Sequence, residues 1–398
     1  IDFFVSLAES FGARQERRWR QLINASAFIE ARGISVNRLL QEKTITVPEP
    51  EVFPSSDRGC LDASHEHKGF PEIFIATINN GMTYGGSNLI LVDEAVICHD
   101  LFDCRRDSTS EELHGRVRID PRKKRIRWLL YDDEPEIIAK AGVFVDACAA
   151  NYAHWLSEVL PRIALFCAED AYKDAAIVVN DDLHENIMSS LALIAGSERE
   201  IITLPIGRAL MIQELYLTSV VGYVPFDRRK KAPTGHSHGI FSPQAFEAVR
   251  ERLSSKELEI EGQYWPEKIF LRRNSGTRKL TNIAEVESLL VAHNFVLVEP
   301  EKLSYLQQVH LFKNAKKIIS PTGAALSNAI FCKPGAQVAV LMGKHKDMIY
   351  RYWHQMLAPL QVKISYVLGN IVQANDLGIH GDFLIEMNDL ENLLEAME

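Results

Sequence analysis

The stretch Ile318-Ile319-Ser320-Pro321-Thr322-Gly323-Ala324-Ala325-Leu326-Ser327-Asn328 decides the reading of the fold. Lys317–Ser320 reads as a buried strand, Pro321-Thr322-Gly323 as a tight loop, and the small residues from about Ala324 to Phe331 as a helix. A strand running into a helix through glycine lets a ligand approach the backbone. The free N–H groups and the dipole of the helix start then favour a phosphate. A tight strand-to-helix turn with no ligand has the same local pattern, so the flanking sequence has to decide.

The same rhythm repeats on both sides of this loop. Ile269–Arg273, Phe295–Val298 and Val338–Met342 read as strands, and Pro243–Leu253, Ile283–His293 and Tyr305–Asn314 as helices. Asn282 with Glu285 and Ser304 with Gln307 have capping-box spacing. Asp389–Met397 reads as a further short helix. A second alternating series lies upstream. It comprises strands at Gly142–Ala147, Ala176–Val179, Ile201–Leu204 and Glu214–Ser219, a helix of about sixteen residues from Tyr152, and a helix at His184–Ile194. Alternation of this kind predicts parallel sheets covered by helices. Residues 14–31 read as a surface helix with Trp19, Leu22, Ile23 and Ala27 as its apolar stripe. Residues 44–72 read as an irregular connection. The span 73–131 reads as β, with turns at Asn80-Gly81 and Asp120-Pro121. The predicted organisation is an N-terminal segment (1–72), a first lobe (73–234) whose Rossmann-like part starts near 140, and a second Rossmann-like lobe (235–398). Asp227–Pro233 reads as the linker.

Two further segments carry candidate chemistry. Phe270-Leu271-Arg272-Arg273-Asn274-Ser275-Gly276-Thr277-Arg278-Lys279 places four cations near the carboxyl end of a strand in the second lobe, where arginines can bridge a diphosphate bidentately. In Asn151-Tyr152-Ala153-His154-Trp155-Leu156-Ser157-Glu158-Val159-Leu160-Pro161-Arg162, Tyr152, Trp155, Leu156, Val159 and Ile163 recur at helical spacing and predict a sheet-facing side. Asn151, His154, Glu158 and Arg162 share the other face. A polar stripe can be a solvated face. Here it starts where a parallel sheet places its ligands and holds an imidazole one turn from a carboxylate, which suits a base and its partner. Pro161 is expected to bend or end the helix.

Composition narrows the classes. The chain has 398 residues, 46% hydrophobic and 24% charged, which is globular and long enough for two cores. The net charge of -9 argues against non-specific nucleic-acid binding. Six cysteines without a C-x-x-C pair predict no disulfide framework and a reducing compartment. Cys98, His99 and Cys104 lack the second ligand pair a zinc site needs. With no apolar run of membrane-spanning length and no signal-peptide pattern, the expected location is cytoplasmic, at most at the inner face of the plasma membrane. The basic runs Arg122–Arg125 and Arg228–Lys231 offer contact with an anionic surface or a lipid-linked acceptor, or form a solvated face. No G-x-G-x-x-G fingerprint follows a strand, which disfavours a dehydrogenase.

The order N-x-x-H-W-x-x-E-x-L-P-R, R-R-x-x-x-x-R-x-L-x-N, L-S-x-x-x-Q-V, P-T-G-A-A-L-S-N-x-x-F, over roughly residues 140–345, resembles family sixty-one glycosyltransferases. That family holds the EGF-domain O-GlcNAc transferase, plant xylosyltransferases and many bacterial polysaccharide enzymes. The resemblance implies a GT-B fold, two Rossmann-like lobes facing a cleft. It implies inverting transfer from a nucleotide sugar, usually UDP-linked, to a glycan, lipid-linked or protein hydroxyl, with no cofactor and no essential metal. Asn151 and His154 match the family's N-x-x-H, and Glu158 stands where relatives often carry Asp. Arg272, Arg278 and Asn282 match its R…R-x-x-x-N element, Gln308 the Gln after L-S, and Gly323, Ala324 and Asn328 its H-G-A-G-L-x-N loop. Thr322 departs from the His of many eukaryotic members and is similar to bacterial ones, which leaves the donor sugar open.

The expected assignments follow. Glu158 is the base, with His154 as partner or second choice. Arg272, Arg273, Arg278, Thr322, Gly323, Ala324, Ala325 and Asn328 hold the nucleotide sugar. Asn151, Arg162, His236 and His238 are candidates for the acceptor cleft. Asn282 reads better as a helix cap, Gln308 as a brace of the loop, and the segment around His236 and His238 as a polar linker. The competing classes are an inactive nucleotide-sugar or glycan binder and a GT-B-like sugar-nucleotide epimerase.

Overall fold

The computed structural model describes residues 19–61, 67–105, 117–129, 134–224, 239–254, 264–345, 350–372 and 380–398. The described parts of Ile1–Glu42 and Pro71–Lys231 form one unit. Those of Lys43–Phe70 and Ala232–Glu398 form a second. Both are mixed α/β.

The first unit is built on an 11-stranded mixed sheet. Its parallel part runs in the order Ile201–Leu204, Ala176–Asn180, Glu136–Val143, Ala209–Thr218. Numbered along the chain from Glu136–Val143, that order is 3-2-1-4. The direction of winding therefore reverses between Glu136–Val143 and Ala209–Thr218. Beyond Ala209–Thr218 the sheet continues antiparallel through Ile73–Tyr84, Ile90–Val92 and Ala95–Cys98, then through Arg20–Asn24 and the hairpin Val117–Asp120 with Arg125–Trp128. The β-rich start and the Rossmann-like part thus share one sheet.

The chain between Glu136–Val143 and Ala176–Asn180 carries a helical stretch over 152–168. It opens as α-helix at Tyr152–His154, widens to a π turn at Trp155–Val159 and returns to α-helix at Leu160–Ala168. Pro161 neither ends nor breaks it. A proline inside an α-helix clashes with the carbonyl four residues back. Here the preceding turn is already widened, with the Leu160 N–H bonded to the Trp155 carbonyl five residues back. Trp155 is fully buried, and its indole N–H donates to Ser190 Oγ (2.8 Å) on the helix Glu185–Ala195. Phe166 packs edge-on against Phe144 at 5.4 Å between ring centroids.

The second unit holds a seven-stranded sheet ordered Val296–Val298, Lys268–Leu271, Lys317–Pro321, Gln337–Gly343, Lys363–Ile371, Phe383–Leu384. The first five are parallel and number 2-1-3-4-5 along the chain, so winding reverses between Lys268–Leu271 and Lys317–Pro321. Glu51–Phe53 adds in parallel to Lys363–Ile371. Tyr305–Asn314 forms the predicted helix with a complete capping box between Ser304 and Gln307.

Several expectations are corrected. The N-terminal stretch is not one helix. Arg20–Asn24 is a strand, and the helix is Ala25–Arg32. Residues 44–72 are not irregular, since they contain Lys43–Thr46, Glu51–Phe53, the 3-10 helix Ser55–Cys60 and His67–Phe70. Asn80-Gly81 is not a turn. The strand Ile73–Tyr84 runs through it with Asn80 in the left-handed region (φ 53°), and a Cβ at Gly81 would sit 2.7 Å from Leu215 Cδ1. Asp93, also left-handed, makes a turn between Ile90–Val92 and Ala95–Cys98. Ala324–Phe331 is a 3-10 helix, not an α-helix. Asn282 makes no capping bond. Its side chain pairs with the backbone of Ile385, donating to the carbonyl (2.8 Å) and accepting from the N–H (3.3 Å). The linker Asp227–Pro233 and the basic run Arg228–Lys231 lie outside the described residues.

Gly142 lets the helical stretch lie close on the sheet. A Cβ there would stand 2.8 Å from Phe144 Cε2 and 2.9 Å from Phe166 Cζ. Gly142→Ala is expected to destabilise the protein by about 1–3 kcal/mol through overpacking, read as a lower midpoint in urea unfolding followed by tryptophan fluorescence.

Candidate active site

Open parallel sheets bind ligands beyond the carboxyl ends of their strands, where winding reverses. In the first unit, chain leaving Glu136–Val143 reaches Asp146, and chain leaving Ala209–Thr218 reaches Ser219. Both residues line a cavity that His154, Glu158 and Arg162 also line. The helical stretch presents these three side chains inward, because residues 155–167 are buried on every side. The polar face read from the sequence is therefore the wall of a cavity and not a solvated face.

His154 Nδ1 and Glu158 Oε1 are 2.6 Å apart. Burial works against a charged imidazole at His154. The charge of Glu158, its hydrogen bond and the charge of Asp146 outweigh it and raise the imidazole above its ordinary value. Burial raises the Glu158 carboxyl in turn, against the pull of His154 and Arg162. Arg162 Nε donates to the Glu158 carbonyl (3.0 Å), and Nη2 is 3.5 Å from Asp146 Oδ2. Asp146 is held rigidly. Its N–H donates to Asn180 Oδ1, its carbonyl accepts from Asn180 Nδ2, and its Oδ1 accepts from the Cys148 N–H. A paired imidazole and carboxylate in such a setting can take a proton from a hydroxyl.

Asn151 plays another part. It is exposed, and its Oδ1 accepts from the Ala153 N–H (3.0 Å), capping the helix start. It does not line the cavity. His236 and His238 lie outside the described residues. Asp146, His99, Asp100 and Ser219 line the cavity and were missed in the sequence. The position of Asp146 just past a strand end was the available signal.

In the second unit the strands on either side of the reversal end at Leu271 and Pro321, and their following loops meet. Arg273 packs against Gly323 so closely that a Cβ at Gly323 would run into its guanidinium. Burial, with Arg278 adding to it, pushes Arg273 down to about 10; burial also lowers Arg278. The Nε atoms of both are buried without a hydrogen-bond partner, and neither guanidinium faces a carboxylate among the described residues. Two half-buried cations without a counter-charge form a ready anion site.

The other residues predicted for this site divide. Arg272 is already bound. Its Nε and Nη2 hold the two oxygens of Glu287 at 2.7 and 2.6 Å, and that bidentate bond raises its pKa. Thr322 is buried, and its Oγ1 accepts from the indole N–H of Trp353 (3.0 Å). Asn328 is fully buried and donates to Gln308 Oε1 (2.8 Å) and the Ala325 carbonyl (3.1 Å). It ties the loop from inside, with Gln308 as the predicted brace. Gly323, Ala324 and Ala325 remain partly open beside Arg273.

Nuclear magnetic resonance titration of the histidine side chains tests the coupled pair. His154 is expected to titrate above the usual value of about 6.5, and in Glu158→Gln to titrate lower than in the parent chain, as burial acts with less opposition.

Residues 152–339 match the family model described as Glycosyltransferase 61. The matched span opens at the first residue of the helical stretch and runs to the strand beyond the Gly323 loop. No curated protein matches the chain. No helix among the described residues is long and apolar enough to cross a membrane.

Proposed function

We propose, from the match of residues 152–339 to the family model described as Glycosyltransferase 61, that this chain is an inverting, GT-B-type enzyme. It moves a sugar from a UDP-linked donor to a hydroxyl of a glycan, lipid-linked or protein acceptor. The observation that carries the reading is the division of chemistry between the two strand-order reversals. One holds a proton-accepting pair, and the other holds two arginines without a counter-charge among the described residues.

Inversion at an anomeric carbon is one in-line displacement. The acceptor hydroxyl loses a proton, its oxygen bonds to the anomeric carbon, and the bond to the nucleoside diphosphate breaks. Glu158 takes the proton, because its carboxylate is the stronger hydrogen-bond acceptor of the pair and His154 orients it. The imidazole of His154 pulls the Glu158 carboxyl down against the larger effect of burial, which raises it. Arg273 and Arg278 receive the negative charge that grows on the leaving diphosphate, with backbone N–H groups near Gly323 adding to them. Arg272, neutralised by Glu287, shapes the loop. The donor role therefore rests on Arg273 and Arg278, in place of the Arg272 and Arg278 expected from the family pattern.

Glu158→Gln is expected to lower kcat by about 10²–10⁴-fold with KM little changed, measured as UDP release in the presence of acceptor. A loss below about tenfold in a folded variant removes Glu158 from this role. Arg273→Ala and Arg278→Ala are each expected to weaken UDP binding by about 10–100-fold, the worth of a hydrogen bond to a charged group. Arg272→Ala should have a smaller effect. Calorimetry with UDP that ranks Arg272 first would reverse the assignment.

A further inference from the structure

The first-unit cavity carries an unusual balance of charge for a sugar pocket. The acidic and basic side chains on its wall are Asp100, Asp146, Glu158, Arg162, His154 and His99. Arg162 is 9% exposed, and its Nη2 is buried. Asp146 lies at ion-pair distance from that nitrogen, yet Nη2 makes no hydrogen bond. A buried guanidinium nitrogen left in this state calls for an acceptor atom from a ligand. A carboxylate is the usual partner of arginine, but this arginine already has its counter-charge. His154 is paired with Glu158 and Arg162 with Asp146, and Asp100 adds one more acidic side chain. A ligand carboxylate would meet three acidic side chains in a low-dielectric cavity. A neutral hydroxyl oxygen can accept from Nη2 without that repulsion, while Ile90, Leu217 and Val220 on the same wall suit the C–H face of a sugar ring.

We infer that the cavity selects an uncharged sugar ring as the acceptor unit, that Arg162 Nη2 donates to one of its hydroxyls, and that Asp146 is the specificity residue excluding uronic and other acidic sugars. This rests on the first-unit cavity being the acceptor pocket. Asp146 acts by charge and by fixing Arg162. It does not touch the reacting atoms.

Binding of four probes to the whole chain, by saturation-transfer resonance and calorimetry at low ionic strength and pH 7, tests the inference. The probes are the methyl glycosides of glucose and galactose and their 6-carboxylate counterparts, the methyl glucuronide and methyl galacturonide. At least one neutral glycoside is expected to bind roughly 100-fold more tightly than its carboxylate partner, the size of effect like-charge exclusion produces. Asp146→Asn keeps an oxygen for the Cys148 N–H and is expected to narrow that ratio at least tenfold. Asp100→Asn, on the more exposed wall, should shift it the same way and serves if the first variant does not fold. Equal or tighter binding of the uronides overturns the inference and leaves the acceptor pocket standing. A ratio untouched by both variants overturns it as well. Absence of binding by all four probes removes the acceptor reading itself, and the inference with it.

Discussion

A parallel strand has to be re-entered from the same end, so every connection in such a sheet crosses over one of its faces. Where the winding changes direction, two neighbouring connections depart to opposite faces and leave a gap beyond the strand ends. Among the described residues this chain makes that reversal twice. In the first unit the gap lies between Glu136–Val143 and Ala209–Thr218, and in the second between Lys268–Leu271 and Lys317–Pro321. Each group given a chemical role stands at one of these gaps or on the helical stretch leading from it. The apolar strands supply the stability, and their order determines where polar side chains can gather without unsettling a core.

Those polar groups are held by other polar groups. Asp146 is clamped on its backbone by Asn180, Arg162 spans from Asp146 to the Glu158 carbonyl, and Glu158 meets His154. In the second unit Glu287 engages Arg272, Gln308 engages Asn328, and Trp353 engages Thr322. Partners of this kind fix a few side chains and leave their neighbours free for a ligand. The second unit applies the same economy within one short loop. Arg272 is held by Glu287, while Arg273, the next residue, faces no carboxylate among the described residues.

Much of this was legible in the sequence where local periodicity and burial agree. The Tyr305–Asn314 helix was found to the residue because its capping box and apolar spacing coincide. The His154/Glu158 pair was found because four residues along a helix place two side chains together. Other features depend on distant partners. Arg20–Asn24 is a strand because Ala95–Cys98 and Arg125–Trp128 lie beside it, and Glu51–Phe53 because Lys363–Ile371 does. Asn282 has the spacing of a cap, yet Ile385 claims its side chain from 103 positions away. Arg272 matches the family pattern at the donor site, and only the fold reveals Glu287 across from it. Asp146 carries no periodic signal at all, since its role comes from its place at a strand end.

The π turn at Trp155–Val159 has a bearing on how this helix is compared with its counterparts in related chains. A π turn holds one residue more than the α-helix it interrupts. Removing that residue would restore an unbroken helix and rotate everything before it by about 100° relative to everything after it. His154 would turn away from Arg162 and the strand end, and Pro161 would meet an unwidened turn. The extra residue therefore works as a phase-setter, aligning the first helical turn with the rest so that both face the same cavity. Related chains sharing this wall should be aligned from each side of the turn inward, because a gap placed freely within it would pair residues that point in different directions.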